Sequence, residues 1–285
     1  MKTLLVPLEE SEGVRSMLQT AWLAAKMFNS YVEGLYIRRA LPGVVVADIG
    51  GYAAATPDLM ESFEEEDARR GQRVRETFEA FLREKEVPLG AEGPAGDAPT
   101  AGWCDDNQPG DSAIGMYARL FDLTVVGRPV AGTSAPAMST LETVLFDSGR
   151  PILIAPPEPP EGLGRCALIH WNGSTETART LAFGLPVLRR FERVVLVAVE
   201  GVMVPGPSAA EAATNLRRNG LKVELREIPA EGRNGGEAVL NEAARLGADL
   251  VVKGAYTHSR LRQMIFGGAT SHILAESTLP VLMAH

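Results

Sequence analysis

Two patterns alternate along the chain and together predict layers of parallel strands and helices. Short runs rich in Val, Leu and Ile indicate buried parallel strands, and apolar residues recur at helical spacing between them. Residues 3–8 form such a run, and residues 14–28 carry a helical pattern that Ser11 is placed to cap. Residues 31–37 return to a strand, so the chain opens with a βαβ unit.

The same two patterns continue to the end of the chain. Further strands are predicted at residues 100–104, 123–127, 152–155, 166–170, 194–199, 221–228, 249–252 and 281–284. Helices are predicted at residues 57–86, 111–120, 174–190, 208–219, 235–246 and 269–276, with one more beginning near residue 140. Residues 41–55, which contain several glycines, are predicted to be irregular.

The sequence repeats itself after a proline-rich stretch at residues 156–160. Residues 122–127 read DLTVVG and residues 249–254 read DLVVKG, while residues 150–155 and 279–284 read RPILIA and LPVLMA. Because the stretch between the copies is stiff, it is the natural boundary. The sequence therefore predicts an N-terminal domain at 1–157, with an insertion at about 41–86, and a C-terminal domain at 163–285.

Composition and charge narrow the classes of partner. With 28 basic and 36 acidic residues the net charge is −8, which argues against nucleic acid and against an anionic membrane surface. No apolar run approaches the length of a membrane span, and the opening run is too short for a signal peptide. The two cysteines, Cys104 and Cys166, form no disulfide framework, so a cytoplasmic location is expected.

Candidate chemistry concentrates after the strand that ends near Gly254. A polar, basic loop follows that glycine, and the paired glycines Gly267 and Gly268 then precede a helix. Glycines let a bound group approach the backbone, and free N–H groups at a helix start attract anions. This order predicts a phosphate cradle, which Arg260 and Arg262 flank. The alternative is that the glycines serve turn geometry alone.

Enzyme signatures are missing from the sequence. It contains no GxxxxGK[ST] loop, no GxSxG elbow and no GxGxxG turn. His258 and His272 border the candidate loop, but no HxH or HExxH spacing supports a metal or a catalytic base. No catalytic residue and no metal ligand can be named, so the sequence favours a binding module over an enzyme.

The repeated DLTVVG and DLVVKG segments and the glycine loop resemble those of tandem universal stress proteins, over nearly the whole chain. The resemblance implies an α/β fold of two tandem five-stranded parallel-sheet domains, Rossmann-like and adenine nucleotide alpha hydrolase-like. It also implies that the two domains form an internal pseudo-dimer through their last strands. Nucleotide-binding members of the family carry Gly, two residues, Gly, nine residues, then Gly followed by Ser or Thr. Here Gly254, Thr257, Gly267 and Gly268 hold those four places, so the second and the last depart from the pattern.

The resemblance also implies which residues would hold an adenine nucleotide, with ATP and Mg²⁺ as the expected ligands. Asn172 stands where the family usually has a carboxylate at the end of the first strand, and the second strand up to Val199 would face ribose and base. Gly267, Gly268, Ala269 and Thr270 would cradle the phosphates. Trp171 is a candidate for stacking on the adenine.

The N-terminal copy departs further, because Gly127 is followed by Arg128 and Pro129 and no later glycine pair is present. We therefore expect it to be a structural partner that binds no nucleotide. Three functions stay open: a stress-response module that binds ATP, a nucleotide-free scaffold for a protein partner, and a slow ATPase. Whether the chain also forms a homodimer is open as well.

Overall fold

The computed structural model describes residues 1–38, 44–47, 51–54, 57–90, 96–105, 110–129, 136–255 and 268–285, with the backbone alone at 44–47 and 51–54. The strands are β1 (Thr3–Leu8), β2 (Tyr31–Tyr36), β3 (Val44–Ala47), β4 (Gly51–Ala54), β5 (Thr100–Cys104), β6 (Leu123–Gly127), β7 (Ile152–Ala155), β8 (Cys166–His170), β9 (Arg193–Val199), β10 (Val223–Ile228), β11 (Leu250–Gly254) and β12 (Val281–Ala284). The helices are α1 (Val14–Phe28), α2 (Pro57–Glu84), α3 (Asp111–Tyr117), α4 (Met138–Asp147), α5 (Thr175–Leu188), α6 (Ala209–Arg218), α7 (Gly235–Leu246) and α8 (Ala269–Glu276). A 3₁₀ turn, Ala118–Leu120, extends α3.

Ten of these strands form one sheet in the order β10-β9-β8-β11-β12-β7-β6-β1-β2-β5. Pairing is parallel within each set of five, and only β12 and β7 pair antiparallel. The two halves are thus joined through their last strands, with Leu282 opposite Leu153. This confirms the predicted fold class and the predicted pairing of the two copies.

Helices cover both faces of the sheet, and the core is continuous across the junction. One buried cluster lies on the side of α1, α2, α5 and α6, and the other lies on the side of α3, α4, α7 and α8. Each cluster contains side chains from both halves of the chain. Because strand side chains alternate between faces, neighbouring residues of one strand belong to different clusters.

In the C-terminal half, helices begin and end at residues whose side chains or conformations favour helix termini. Ser208 and Glu211 form a reciprocal capping box at the start of α6, and Ser174 caps α5 by accepting from the Thr177 N–H. Gly247 ends α7 in the left-handed conformation (φ 62°) that favours glycine. These local signals explain why the predicted bounds agree closely with the structure in this half.

Two local predictions in the N-terminal half are wrong. Ser11 does not cap α1: the N-cap residue is Gly13, which makes no side-chain cap, and the Val14 N–H bonds to the Ser11 carbonyl in a preceding turn. Residues 41–55 are not wholly irregular, because β3 and β4 form an antiparallel hairpin there. Within the described ranges, every helix is too short or too polar to cross a membrane.

Candidate functional site

The candidate site lies where β8 and β11 end side by side. The two strands run parallel, and His170, the last residue of β8, is in register with Lys253. Lys253 bonds to α8, so its side chain points to the face that α7 and α8 cover. His170 lies on that same face, because it follows Leu168 by two residues and Leu168 belongs to the cluster on that side. The sheet therefore presents two basic side chains together at its carboxyl edge.

Lys253 is a buried ammonium that bonds only neutral groups among the described residues. Its side chain lies in the core, with the residue 5% exposed, and Nζ donates to the Gly254 carbonyl at 3.0 Å and to Thr270 Oγ1 at 2.6 Å. Burial lowers the pKa of Lys253 to about 8, an effect that the negative charge of Glu176 partly opposes. Buried charges are ordinarily paired with an opposite charge, so this one is exceptional.

His170 is more deeply enclosed than Lys253. The residue is 2% exposed, and neither ring nitrogen has a hydrogen-bond partner in the described part of the chain. Burial, together with the nearby Lys253 charge, lowers the pKa of His170 to about 3, so the ring is neutral near pH 7. A neutral imidazole still carries one N–H donor and one acceptor nitrogen. Each therefore has unused hydrogen-bonding capacity in the described part of the chain.

Helix α8 begins beside these two bases. Its N-cap residue is Gly268, whose φ of 118° suits glycine and which has no side chain to cap the helix; among the other described residues no side chain bonds to its first N–H groups either. Thr270, in the first turn, carries the hydroxyl that Lys253 contacts. An uncapped helix start offers N–H donors and the positive end of the helix dipole, so it attracts anions.

Gly254 has a packing role that is independent of any ligand. A Cβ on Gly254 would lie 2.4 Å from the Thr177 backbone nitrogen and 2.6 Å from Thr177 Oγ1. Only glycine therefore lets β11 end against the first turn of α5. This contact supports the packing alternative for Gly254 without excluding a phosphate near it.

Asn172 and Trp171 are both engaged within the protein. Asn172 Oδ1 accepts from the Ser174 N–H at 3.2 Å and from Thr177 Oγ1 at 2.7 Å, so it shapes the turn into α5. Trp171 is 4% exposed, and its Nε1 donates to the Pro207 carbonyl. Its ring borders a cleft of about 750 Å³ between α5 and α6, whereas Lys253 faces α7 and α8. The tryptophan is therefore not placed to stack on a base at the candidate site.

The remaining predicted site residues divide into two groups. Gly268, Ala269 and Thr270 lie together at the start of α8, as expected, and Val199 is buried at the end of β9. Thr257 and Gly267 lie outside the described residues, as do His258, Arg260 and Arg262. The described ranges contain no group of three or more His, Cys, Asp or Glu side chains that could hold a metal ion.

The sequence does not predict His170 or Lys253 as residues of the candidate site. The predicted strand 249–252 stops one residue before Lys253, and His170 closes the predicted strand 166–170; neither is named as a site residue. One signal was present: Lys253 is the only charged residue in β11, and all five residues of that strand are buried. A lysine at such a position indicates a specific role for its charge.

The equivalent place in the N-terminal half is filled by the protein's own atoms. Glu9 is 6% exposed, and its Oε1 accepts from the Ala137 N–H at 2.6 Å at the start of α4. Pro136 packs against Gly127, where a Cβ would come within 2.4 Å of the proline ring. The cavity that these residues line holds about 10 Å³, far below the several hundred of a small-molecule site.

Comparisons with known proteins agree with this architecture. Residues 187–285 match the model of the Universal stress protein family. A universal stress protein from Archaeoglobus fulgidus DSM 4304 superposes with a TM-score of 0.64 at 14% identity, over 99% of this chain and 95% of that chain. A putative universal stress protein from Pseudomonas aeruginosa UCBPP-PA14 gives 0.53 at 15% identity, over 100% and 93%.

A protein of unknown function from Pseudomonas aeruginosa PAO1 is also similar, with a TM-score of 0.54 at 14% identity over 100% of this chain and 92% of that chain. No curated protein matches the sequence. The resemblance predicted from the repeated segments and the glycine loop is confirmed by the family match and by these folds. The chain thus carries a universal stress protein domain over residues 187–285, in a fold that it shares along its whole length with universal stress proteins.

Proposed function

We propose that the protein is a stress-response binding module that takes up an adenine nucleotide, with ATP as the first ligand to test, at the carboxyl edge of β8 and β11. The observation that carries the proposal is the buried Lys253 ammonium, which no carboxylate pairs in the described part of the chain. It lies against the uncapped start of α8. An anionic group placed there would satisfy both the buried charge and the helix N–H donors.

The contrast between the two halves supports one nucleotide per chain. In the N-terminal half, the Glu9 carboxylate already accepts from the start of α4. The corresponding helix start in the C-terminal half is bordered by Lys253, a cation. A protein carboxylate thus supplies the negative charge in one half, and a ligand would supply it in the other.

A nucleotide-free scaffold is the second candidate function. Asn172 favours it, because its Oδ1 is engaged by Ser174 and Thr177 and is not directed to a ribose. A slow ATPase has less support, since Asn172 supplies a neutral amide where a carboxylate would hold Mg²⁺. Cys104 and Cys166 form no disulfide, which supports the proposal of a cytoplasmic protein.

The test is isothermal titration of ATP into the full chain, alongside the variant Thr270→Val. We expect micromolar binding at one site per chain, about −8 kcal/mol. Removing the Thr270 hydroxyl should weaken binding about 3- to 10-fold, because one hydrogen bond contributes about 0.5–1.5 kcal/mol. Thr77→Val is the matched control, since Thr77 is exposed on α2 and its hydroxyl bonds only back to the Arg73 carbonyl. Absence of binding at millimolar ATP would favour the scaffold.

A further inference from the structure

We infer that Lys253 is the counter-ion of the bound phosphates, so that this site takes the free nucleotide and needs no divalent metal. The inference rests on the proposed function and adds the chemical form of the ligand. Its first support is the unused capacity of the ammonium group. Lys253 Nζ carries three N–H donors, and its described bonds, to the Gly254 carbonyl and Thr270 Oγ1, use two.

The electrostatics of the surroundings give the second support. Lys253 lies at the N-terminal end of α8, where the helix dipole is positive and another positive charge is unfavourable. Glu176 is the one acidic group whose charge reaches it, and that carboxylate accepts from the Thr175 hydroxyl and makes no described ion pair with the lysine. A buried cation beside a positive helix end is destabilised until an anion lies next to both.

His170 is the third and independent observation. It is 98% buried and in register with Lys253, on the same face of the sheet, and both of its ring nitrogens lack partners in the described ranges. An unbonded buried imidazole is unfavourable in an apolar core. Its N–H can donate to the same phosphate that the ammonium contacts. Two donors on adjacent strands and a helix start therefore converge on one place.

The residues that end β8 and β11 and those that begin α8 carry no carboxylate, the ligand that Mg²⁺ prefers. Asn172, at the end of β8, is neutral, and its oxygen already accepts two hydrogen bonds. A divalent cation would also lie near the Lys253 ammonium and raise the positive charge further. The lysine supplies the neutralising charge that a metal would otherwise bring.

The test compares ATP binding to the full chain in excess EDTA and in excess MgCl₂ by isothermal titration. We expect the dissociation constant in EDTA to be equal to or lower than that in MgCl₂. Lys253→Met should weaken binding in EDTA by about tenfold or more, because a charge-assisted hydrogen bond contributes about 1.5–3 kcal/mol. Lys222→Met is the matched control, since Lys222 is an exposed lysine in the same half of the chain, and it should bind as the unmodified protein does.

Each outcome bears on a different claim. ATP binding that appears only with Mg²⁺, or binding that Lys253→Met leaves unchanged, would overturn the inference while the proposed function stands. No binding in either buffer would overturn both. Lys253→Met removes a buried unpaired charge and keeps an unbranched side chain that is one atom shorter, so we expect it to fold. The EDTA and MgCl₂ comparison on the unmodified protein decides the question without any variant.

Discussion

At the scale of single residues, His170 and Lys253 show what the sequence can and cannot reveal. The strand pattern places His170 at the end of one predicted strand and Lys253 one residue beyond another, but it does not show that the two are in register on adjacent strands. That pairing depends on the strand order, in which β8 lies next to β11 although two strands and three helices separate them in the chain. The candidate glycines can be named from the sequence because turn chemistry is local, whereas the pairing of the two bases depends on tertiary contacts.

The burial of His170 predicts an acid-sensitive stability. Its pKa is lowered to about 3 from 6.5, so between these values the unfolded chain binds more protons than the folded chain. This group therefore makes the folded state less stable as the pH falls below about 6.5, and the loss is complete near pH 3. We expect His170→Leu to flatten the fall of the free energy of unfolding between pH 6.5 and 4, measured by urea unfolding. An unchanged pH profile would show that the pKa of His170 in the folded chain lies near its value in the unfolded chain.

At the scale of elements, the sequence predicts best where a local signal is complete. The capping box at Ser208 and the terminal glycine Gly247 set helix bounds that the structure confirms. The sequence does not predict the antiparallel pair of β3 and β4. Three successive valines, Val44 to Val46, lack the alternation that indicates a half-buried strand. The sequence predicts the wrong cap for α1 because Ser11 carries a hydroxyl of the kind that caps helices. The helix itself begins later, after Gly13.

The start of α4 provides the prediction at this scale. Its N-cap residue, Ala137, has no capping side chain of its own, and the buried Glu9 carboxylate accepts from its N–H at 2.6 Å. Replacing Glu9 by Ala leaves that donor without this acceptor, so we expect a loss of about 1–3 kcal/mol in the free energy of unfolding. Urea unfolding of Glu9→Ala and of the exposed control Glu12→Ala measures the difference. Equal stabilities of the two variants would contradict this role of Glu9.

At the scale of the whole molecule, the antiparallel pair β7–β12 makes two similar halves into one body. The resemblance to tandem universal stress proteins implies that the last strands meet, and the register places Leu153 opposite Leu282. Both core clusters cross this junction. Since each half contributes to the same buried clusters, opening one half exposes apolar surface of the other.

Coupled unfolding of the two halves follows from this shared core. The chain has three tryptophans, Trp22 and Trp103 in the N-terminal half and Trp171 in the C-terminal half, so variants that keep only Trp103 or only Trp171 report on one half each. We expect both to give the same urea midpoint, as a single cooperative unit does. Leu153→Ala, in the core at the junction, should shift the two midpoints together and cost about 2–5 kcal/mol. Leu120→Ala, at a residue that is 71% exposed, should shift neither midpoint. Different midpoints for the two single-tryptophan variants, without either leucine substitution, would show that the junction does not couple the two halves.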